Sequence, residues 1–148
     1  MGQKIWLPVV ISLLCLLTAC GPAPEIATVT RVIDGDTIVI DTGQEVRYIG
    51  IDTPEIYPTR EPYGDQAWKV NRHLVEGKEV RLERDVSDTD QYGRLLRYVY
   101  VEGIFVNGEL VILGLAEAKA YPPDTKNQEH LEWLETVARE SHRGMWQK

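Results

Sequence analysis

The chain has 148 residues, which is enough for one domain with a real core and too few for two. Its 23 Asp and Glu outnumber its 16 Lys and Arg, for a net charge of -7, so the surface as a whole does not attract a polyanion and any such attraction is confined to a local patch. Both cysteines lie in the first twenty residues, which excludes a disulfide or a cysteine metal centre from the rest.

Residues 1–19 carry one early cation, Lys4, then an apolar run broken only by Pro8 and Ser12. The run is too short to span a bilayer, which takes roughly 20 apolar residues, and it ends in small residues; it is read as a secretion signal. A buried N-terminal helix is the alternative, and Pro8 and the missing polar face oppose it. Leu17-Thr18-Ala19-Cys20 resembles the bacterial lipoprotein box, which implies lipidation at Cys20 and a membrane anchor. N-myristoylation fits poorly, because Trp6 stands where that motif has Ser or Thr. Residues 20–25 then form a short tether, and residues 26–148 the folded domain.

Strand-like β-branched patterns cover 26–33 and 37–41, with a turn at 41–44 leading into a third strand over 45–51. Apolar spacing predicts a helix over 64–75. Strands follow over 79–84 and 95–101. Asn107 is placed as the N-cap of a short helix ending near Gly114. One more strand is expected over 118–121, closed by Pro122-Pro123, and a last helix over 125–142 with Leu131, Leu134, Val137 and Ala138 inward. Short strands interleaved with three helices define an α+β domain on a small barrel.

The chemistry sits in two acidic clusters and two arginines. Asp36 ends a turn and Asp52 ends a strand, so neighbouring strands can converge their carboxylates into an oxygen site suited to Ca²⁺; read alone, Asp34-Gly35-Asp36-Thr37 is a hairpin turn. Arg47 and Arg94 either cap a barrel end in solvent or clamp a phosphate, since a guanidinium stays charged and forks onto two oxygens. Glu55, stiffened by Pro54, is either a surface or capping residue or the group that orients or deprotonates an attacking water. Tyr92 and Tyr121 can stack on a base. His73, His130 and His142 lack metal-ligand spacing, and Trp68, Trp133 and Trp146 are read as core.

Several separated motifs, in order, are similar to the staphylococcal nuclease (thermonuclease) family. They are Val32-Ile33-Asp34-Gly35-Asp36-Thr37, Arg47-x-x-x-x-Asp52-Thr53-Pro54-Glu55, Asp90-x-Tyr92-Gly93-Arg94, Val106-Asn107, Gly114-Leu115-Ala116 and Gly144-x-Trp146. The resemblance implies an OB-fold, a five-stranded β-barrel with three α-helices. It implies Ca²⁺ held by Asp36, Asp52 and the Thr53 carbonyl, phosphate held by Arg47 and Arg94, and Glu55 as general base. It further implies cleavage of DNA and RNA to 3′-phosphate and 5′-hydroxyl ends. With the N-terminal segment and the lipoprotein box, the expectation is a secreted, monomeric enzyme anchored outside the cytoplasm, and the alternative is a non-catalytic OB-fold binding module. Three departures predict a weakened substrate grip and a raised KM. Residues 56–63 hold Arg60 as their lone cation, Gln91 precedes Tyr92 where the family often has lysine, and Pro122-Pro123 follows Tyr121.

Overall fold

The computed structural model describes residue 2 and residues 24–147; Cys20 and all but one residue of the segment read as a secretion signal lie outside the described residues. Strand β1 (Glu25–Val32) pairs antiparallel with β2 (Thr37–Ile40), and β2 with β3 (Glu45–Tyr48). On its other edge β1 meets β5 (Glu79–Glu83), which pairs with β6 (Leu95–Val101), and β6 carries the two-residue β7 (Ile104–Phe105). β6 then runs parallel to β3, Val46 opposite Leu95 and Tyr48 opposite Arg97, and so closes a mixed five-stranded barrel. Alternation along β1 buries Ala27, Val29 and Val32 and turns Thr28, Thr30 and Arg31 outward, as a sheet wrapped on its own core requires.

Helix α1 (Gly64–Val75) matches its predicted bounds. It holds the acidic loop between β1 and β2 from behind. Trp68 Nε1 donates to Val32 O at 3.1 Å, and Asn71 Nδ2 donates to Asp34 O at 3.2 Å. Asn71 Oδ1 in turn accepts from the buried Tyr48 hydroxyl at 2.8 Å. Helices α2 (Val106–Ile112) and α3 (Gln128–Glu140) pack on each other, with Leu110, Leu131 and Ala138 fully buried. The α+β OB-fold barrel with three helices is therefore as expected.

Five details depart from the sequence reading, each for a tertiary reason. Asn107 is no cap: it lies inside α2, fully buried, its Oδ1 accepting from Val99 N–H and its Nδ2 donating to Ile49 O, both at 2.9 Å. The third strand stops at Tyr48, because Gly50 adopts φ +77° and redirects the chain into β4 (Ile51–Asp52). The strand placed at 118–121 is the two-residue β8 (Glu117–Ala118), which pairs with β4 rather than with the barrel. α3 begins three residues late, at Gln128, and ends before His142. Trp133 is 59% exposed instead of buried.

Candidate active site

The site is assembled where β2 begins and β3 and β4 end. Asp36 lies in the loop that leads into β2 and is only 5% exposed. Its Oδ1 accepts from the Thr37 hydroxyl at 3.1 Å and its Oδ2 from Thr53 N–H at 2.9 Å, which joins the first acidic cluster to the second. Gly35 makes this approach possible. A Cβ there would stand 2.6 Å from Thr53 Oγ1 and 2.8 Å from Ala67 Cβ, so the Asp-Gly-Asp loop is packed between β4 and α1 and is more than a turn.

Arg47, from the middle of β3, reaches between the two carboxylates. Nη2 donates to Asp52 Oδ1 at 2.9 Å, and Nη1 forms an ion pair with Asp36 Oδ2. Burial works against the guanidinium charge, but Asp36, Asp52 and Asp34 outweigh it and hold its pKa above the ordinary value. Asp34, whose Oδ1 accepts from Asp36 N–H at 3.1 Å, is pushed up to about 7 by burial and by the neighbouring Asp36 charge. Negative charge thus exceeds what one guanidinium satisfies.

Those observations bear on whether the residues fit a divalent cation. Asp36 and Asp52 offer only oxygen donors, converge on one positive group, and lie beside the Thr53 backbone; this donor chemistry suits a hard cation such as Ca²⁺. Arg47 bridges the two carboxylates, so their charges converge on a point where positive charge is already held. Among the described residues no cluster of three or more His, Cys, Asp or Glu side chains has metal-holding geometry, and the set here is two carboxylates and a carbonyl. The residues fit.

A cavity of about 430 Å³ opens beside this cluster, lined by Arg47, Asp90, Tyr92, Arg94, Tyr121 and Asp124 among others. Arg94 is aimed by Asp90. Asp90 Oδ2 accepts from Arg94 Nε at 2.7 Å, while Oδ1 accepts from the N–H groups of Tyr92 (2.9 Å) and Arg94 (3.0 Å). Among the described residues the two Nη atoms of Arg94 have no protein acceptor, which leaves them for a ligand in the cavity. Burial opposes the Asp90 charge, yet these three bonds prevail and hold its carboxyl below the ordinary range. Tyr92 is 74% and Tyr121 44% exposed, and both rings are open to a stacking partner.

Glu55 is on the exposed loop that follows β4, outside the cavity lining. Its backbone N–H donates to Glu61 Oε2 at 2.9 Å, and its carbonyl accepts from Glu61 N–H at 2.8 Å. Gly64 lets α1 start against it, since a Cβ would fall 2.7 Å from Glu55 O. Burial first, then the charges of Asp36, Asp52 and Glu61, push the Glu55 carboxyl up, with Arg47 opposing. The structure therefore gathers Asp36, Arg47, Asp52 and Thr53 into one contact group. It sets Arg94, Tyr92 and Tyr121 around the adjoining cavity, and leaves Glu55 at the edge within electrostatic reach.

Three residues beyond that set belong to the site. Asp34 adds charge, and its signal was present in the Asp-Gly-Asp motif. Asp90 positions Arg94 across an i, i+4 spacing that the sequence also displays. Lys119 Nζ donates to Asp52 Oδ2 at 2.7 Å, and nothing in its local sequence marks it.

A closed mixed barrel with three helices, carrying Arg47 and Arg94 on one cavity with the Asp36 and Asp52 carboxylates beside it, defines an OB-fold domain with a charged site suited to a phosphate ligand. The chain belongs to the staphylococcal nuclease family: the model for staphylococcal nuclease homologues matches residues 45–148. It is 40% identical over 124 residues to a thermonuclease of Staphylococcus hyicus, covering 80% of this chain and 73% of that protein. It is 41% identical over 126 residues to the thermonuclease of Staphylococcus intermedius, covering 81% and 75%. The endonuclease YncB of Bacillus subtilis strain 168 is 43% identical over 129 residues, 82% of this chain and 61% of that protein. The chain is accordingly a nuclease, a phosphodiesterase-type hydrolase.

Proposed function

We propose that this nuclease is Ca²⁺-dependent, acts on DNA and RNA without sequence preference, and leaves 3′-phosphate and 5′-hydroxyl ends. The observation that carries the reading is Arg47 suspended between Asp36 and Asp52 on the wall of a cavity that it shares with Arg94. When bound by Asp36, Asp52 and the Thr53 carbonyl, Ca²⁺ supplies Lewis-acid charge to a phosphate oxygen. Arg47 and Arg94 contribute fixed positive charge where the five-coordinate phosphorus gathers negative charge, and the loss of one such donor typically costs 10²–10³ in rate. Arg94 offers its two Nη atoms as a fork, because Asp90 occupies Nε. Glu55, at the edge of the carboxylate pair, orients or deprotonates the attacking water. Tyr92 and Tyr121 stack on a base or sugar at the cavity mouth.

The protein is further proposed to be exported, lipidated at Cys20 and held as a monomer at the extracytoplasmic face of a membrane. Support comes from the apolar segment and the Leu-Thr-Ala-Cys sequence that ends it. Among the described residues no helix is long and apolar enough to cross a membrane.

The deciding experiment follows hydrolysis of single-stranded DNA by the full chain in detergent, with Ca²⁺, with Mg²⁺ and with chelator, and identifies the product ends. Ca²⁺-dependent cleavage to 3′-phosphates is expected. A folded protein that gives no cleavage with any metal would instead be a binding module. Metabolic labelling with a fatty acid, compared between the native chain and Cys20→Ala, tests the anchor; equal labelling of both would remove it.

A further inference from the structure

Lys119 enters the site through the ladder between β8 and β4. Ile51 faces Ala118, Asp52 faces Glu117, and Lys119 N–H donates to Gly50 O at 2.9 Å. That register sets its ammonium on Asp52 Oδ2, while Arg47 uses Asp52 Oδ1. Two cations of opposite mobility thus share one carboxylate. Arg47 is buried and gripped from two sides; Lys119 has a side chain 50% exposed on a flexible stem. Its Nζ also lies 5.6 Å from the centre of the Tyr121 ring, and Tyr121 lines the cavity with Arg47 and Arg94.

The ion pair with Asp52 is too weak to keep Lys119 in place against a competing anion. Exposed pairs of this kind contribute about 0–1 kcal/mol. A strand phosphodiester carries the same single charge as a carboxylate but is not already shared with Arg47, and contacting it releases condensed counterions. The rest of the surface near the site is poor in cations: Arg60 is engaged with Asp65 at 3.1 Å, and residue 91 is glutamine. Phosphate neutralisation supplies most of the affinity of a non-specific complex, so a chain this acidic needs its few available cations on the strand.

We propose that Lys119 is a substrate-binding residue, a third phosphate-contacting cation parked on Asp52 in the free protein and transferred to a phosphate next to the base that stacks on Tyr121. This assignment rests on the nuclease reading and deepens it. It predicts that Lys119 acts on substrate affinity rather than on the reacting centre, which Arg47 and Arg94 serve.

The test measures binding of a fluorescent single-stranded oligonucleotide to the full chain in chelator, by anisotropy across a salt series, and then steady-state cleavage with Ca²⁺. Lys119→Ala is expected to weaken binding several-fold at low salt and to reduce the slope of log K against log salt by about 0.7, the value for one single-strand phosphate. KM should rise with kcat nearly unchanged, and Lys119→Arg should restore most of the affinity. Lys126→Ala, which removes an exposed lysine paired with Glu83 away from the cavity lining, should leave the slope unchanged. Titration calorimetry with Ca²⁺ provides a separate readout. If Lys119→Ala binds Ca²⁺ more tightly while oligonucleotide affinity and slope stay at wild-type values, Lys119 is only the counter-ion of Asp52 and the assignment is overturned. A wild-type chain that neither binds nor cleaves the oligonucleotide would remove the nuclease reading and this assignment with it.

Discussion

Replacing Asp90 by Asn separates positioning from chemistry in this site. One carboxylate holds three donors, the N–H groups of Tyr92 and Arg94 and the Nε of Arg94, at 2.9, 3.0 and 2.7 Å. An asparagine can keep its oxygen on the two backbone groups, but its amide then turns a donor toward Arg94 Nε. The change deletes one charge-assisted bond, worth about 1.5–3 kcal/mol, while the turn survives. That free energy no longer favours the aligned guanidinium rotamer, and at 1.36 kcal/mol per tenfold it lowers kcat by about 10- to 100-fold. The assay is a double-mutant cycle with Arg94→Ala, scored on kcat with saturating Ca²⁺. If Asp90 works through Arg94, the double variant is no slower than Arg94→Ala alone. Independent, multiplicative losses would refute the reasoning. The same carboxyl gives a sign for acid stability. Its folded pKa lies below the ordinary 3.8, so its contribution is present above that value and is lost as pH falls through the folded pKa. Asp90→Asn should therefore be less stable than wild type at neutral pH and show a shallower stability loss below pH 4.

Arg94→Ala and Glu55→Ala should each leave the circular dichroism spectrum intact and lower kcat by at least about 10²; near-normal turnover in both would remove their proposed roles. Asp36→Asn should chiefly weaken Ca²⁺, so a calcium titration should recover part of the rate, and a rate flat to saturating metal would argue against a ligand role. Gly35→Ala forces a Cβ to within 2.6 Å of Thr53 Oγ1, and overpacking of this sort should cost about 1–3 kcal/mol in denaturant unfolding; an unchanged midpoint would mean that the acidic loop is looser than its packing indicates.

Much of the fold was legible because its signals are local. The periodicity of residues 64–75 defined α1 to the residue, and the alternation after Tyr92-Gly93 defined the strand from Leu95 to Val101. The carboxylates and arginines were legible as residue types able to do phosphodiester chemistry. Their grouping was less so: taken singly, Asp34-Gly35-Asp36-Thr37 reads as a turn, and only the ordered set of motifs pointed to a nuclease.

By itself the sequence determined the elements, their order and the inventory of charged groups, since each depends on residues a few positions apart. Tertiary structure decided how those groups share one another. Arg47 meets both Asp36 and Asp52 because β2 begins where β3 and β4 end, under a barrel closed by the parallel pairing of β3 with β6. Asn107 looked like a cap, yet it spends its amide on Val99 and Ile49, partners that lie 8 and 58 residues away. Trp133 follows the helical spacing of a core residue but falls on a face of α3 that stays mostly exposed among the described residues. Lys119 reaches Asp52 across 67 residues because β8 pairs with β4 in one register, and a slip of one residue would turn that side chain to the other face. Register and closure are set by the summed packing of the whole barrel, and no window of a few residues contains that information.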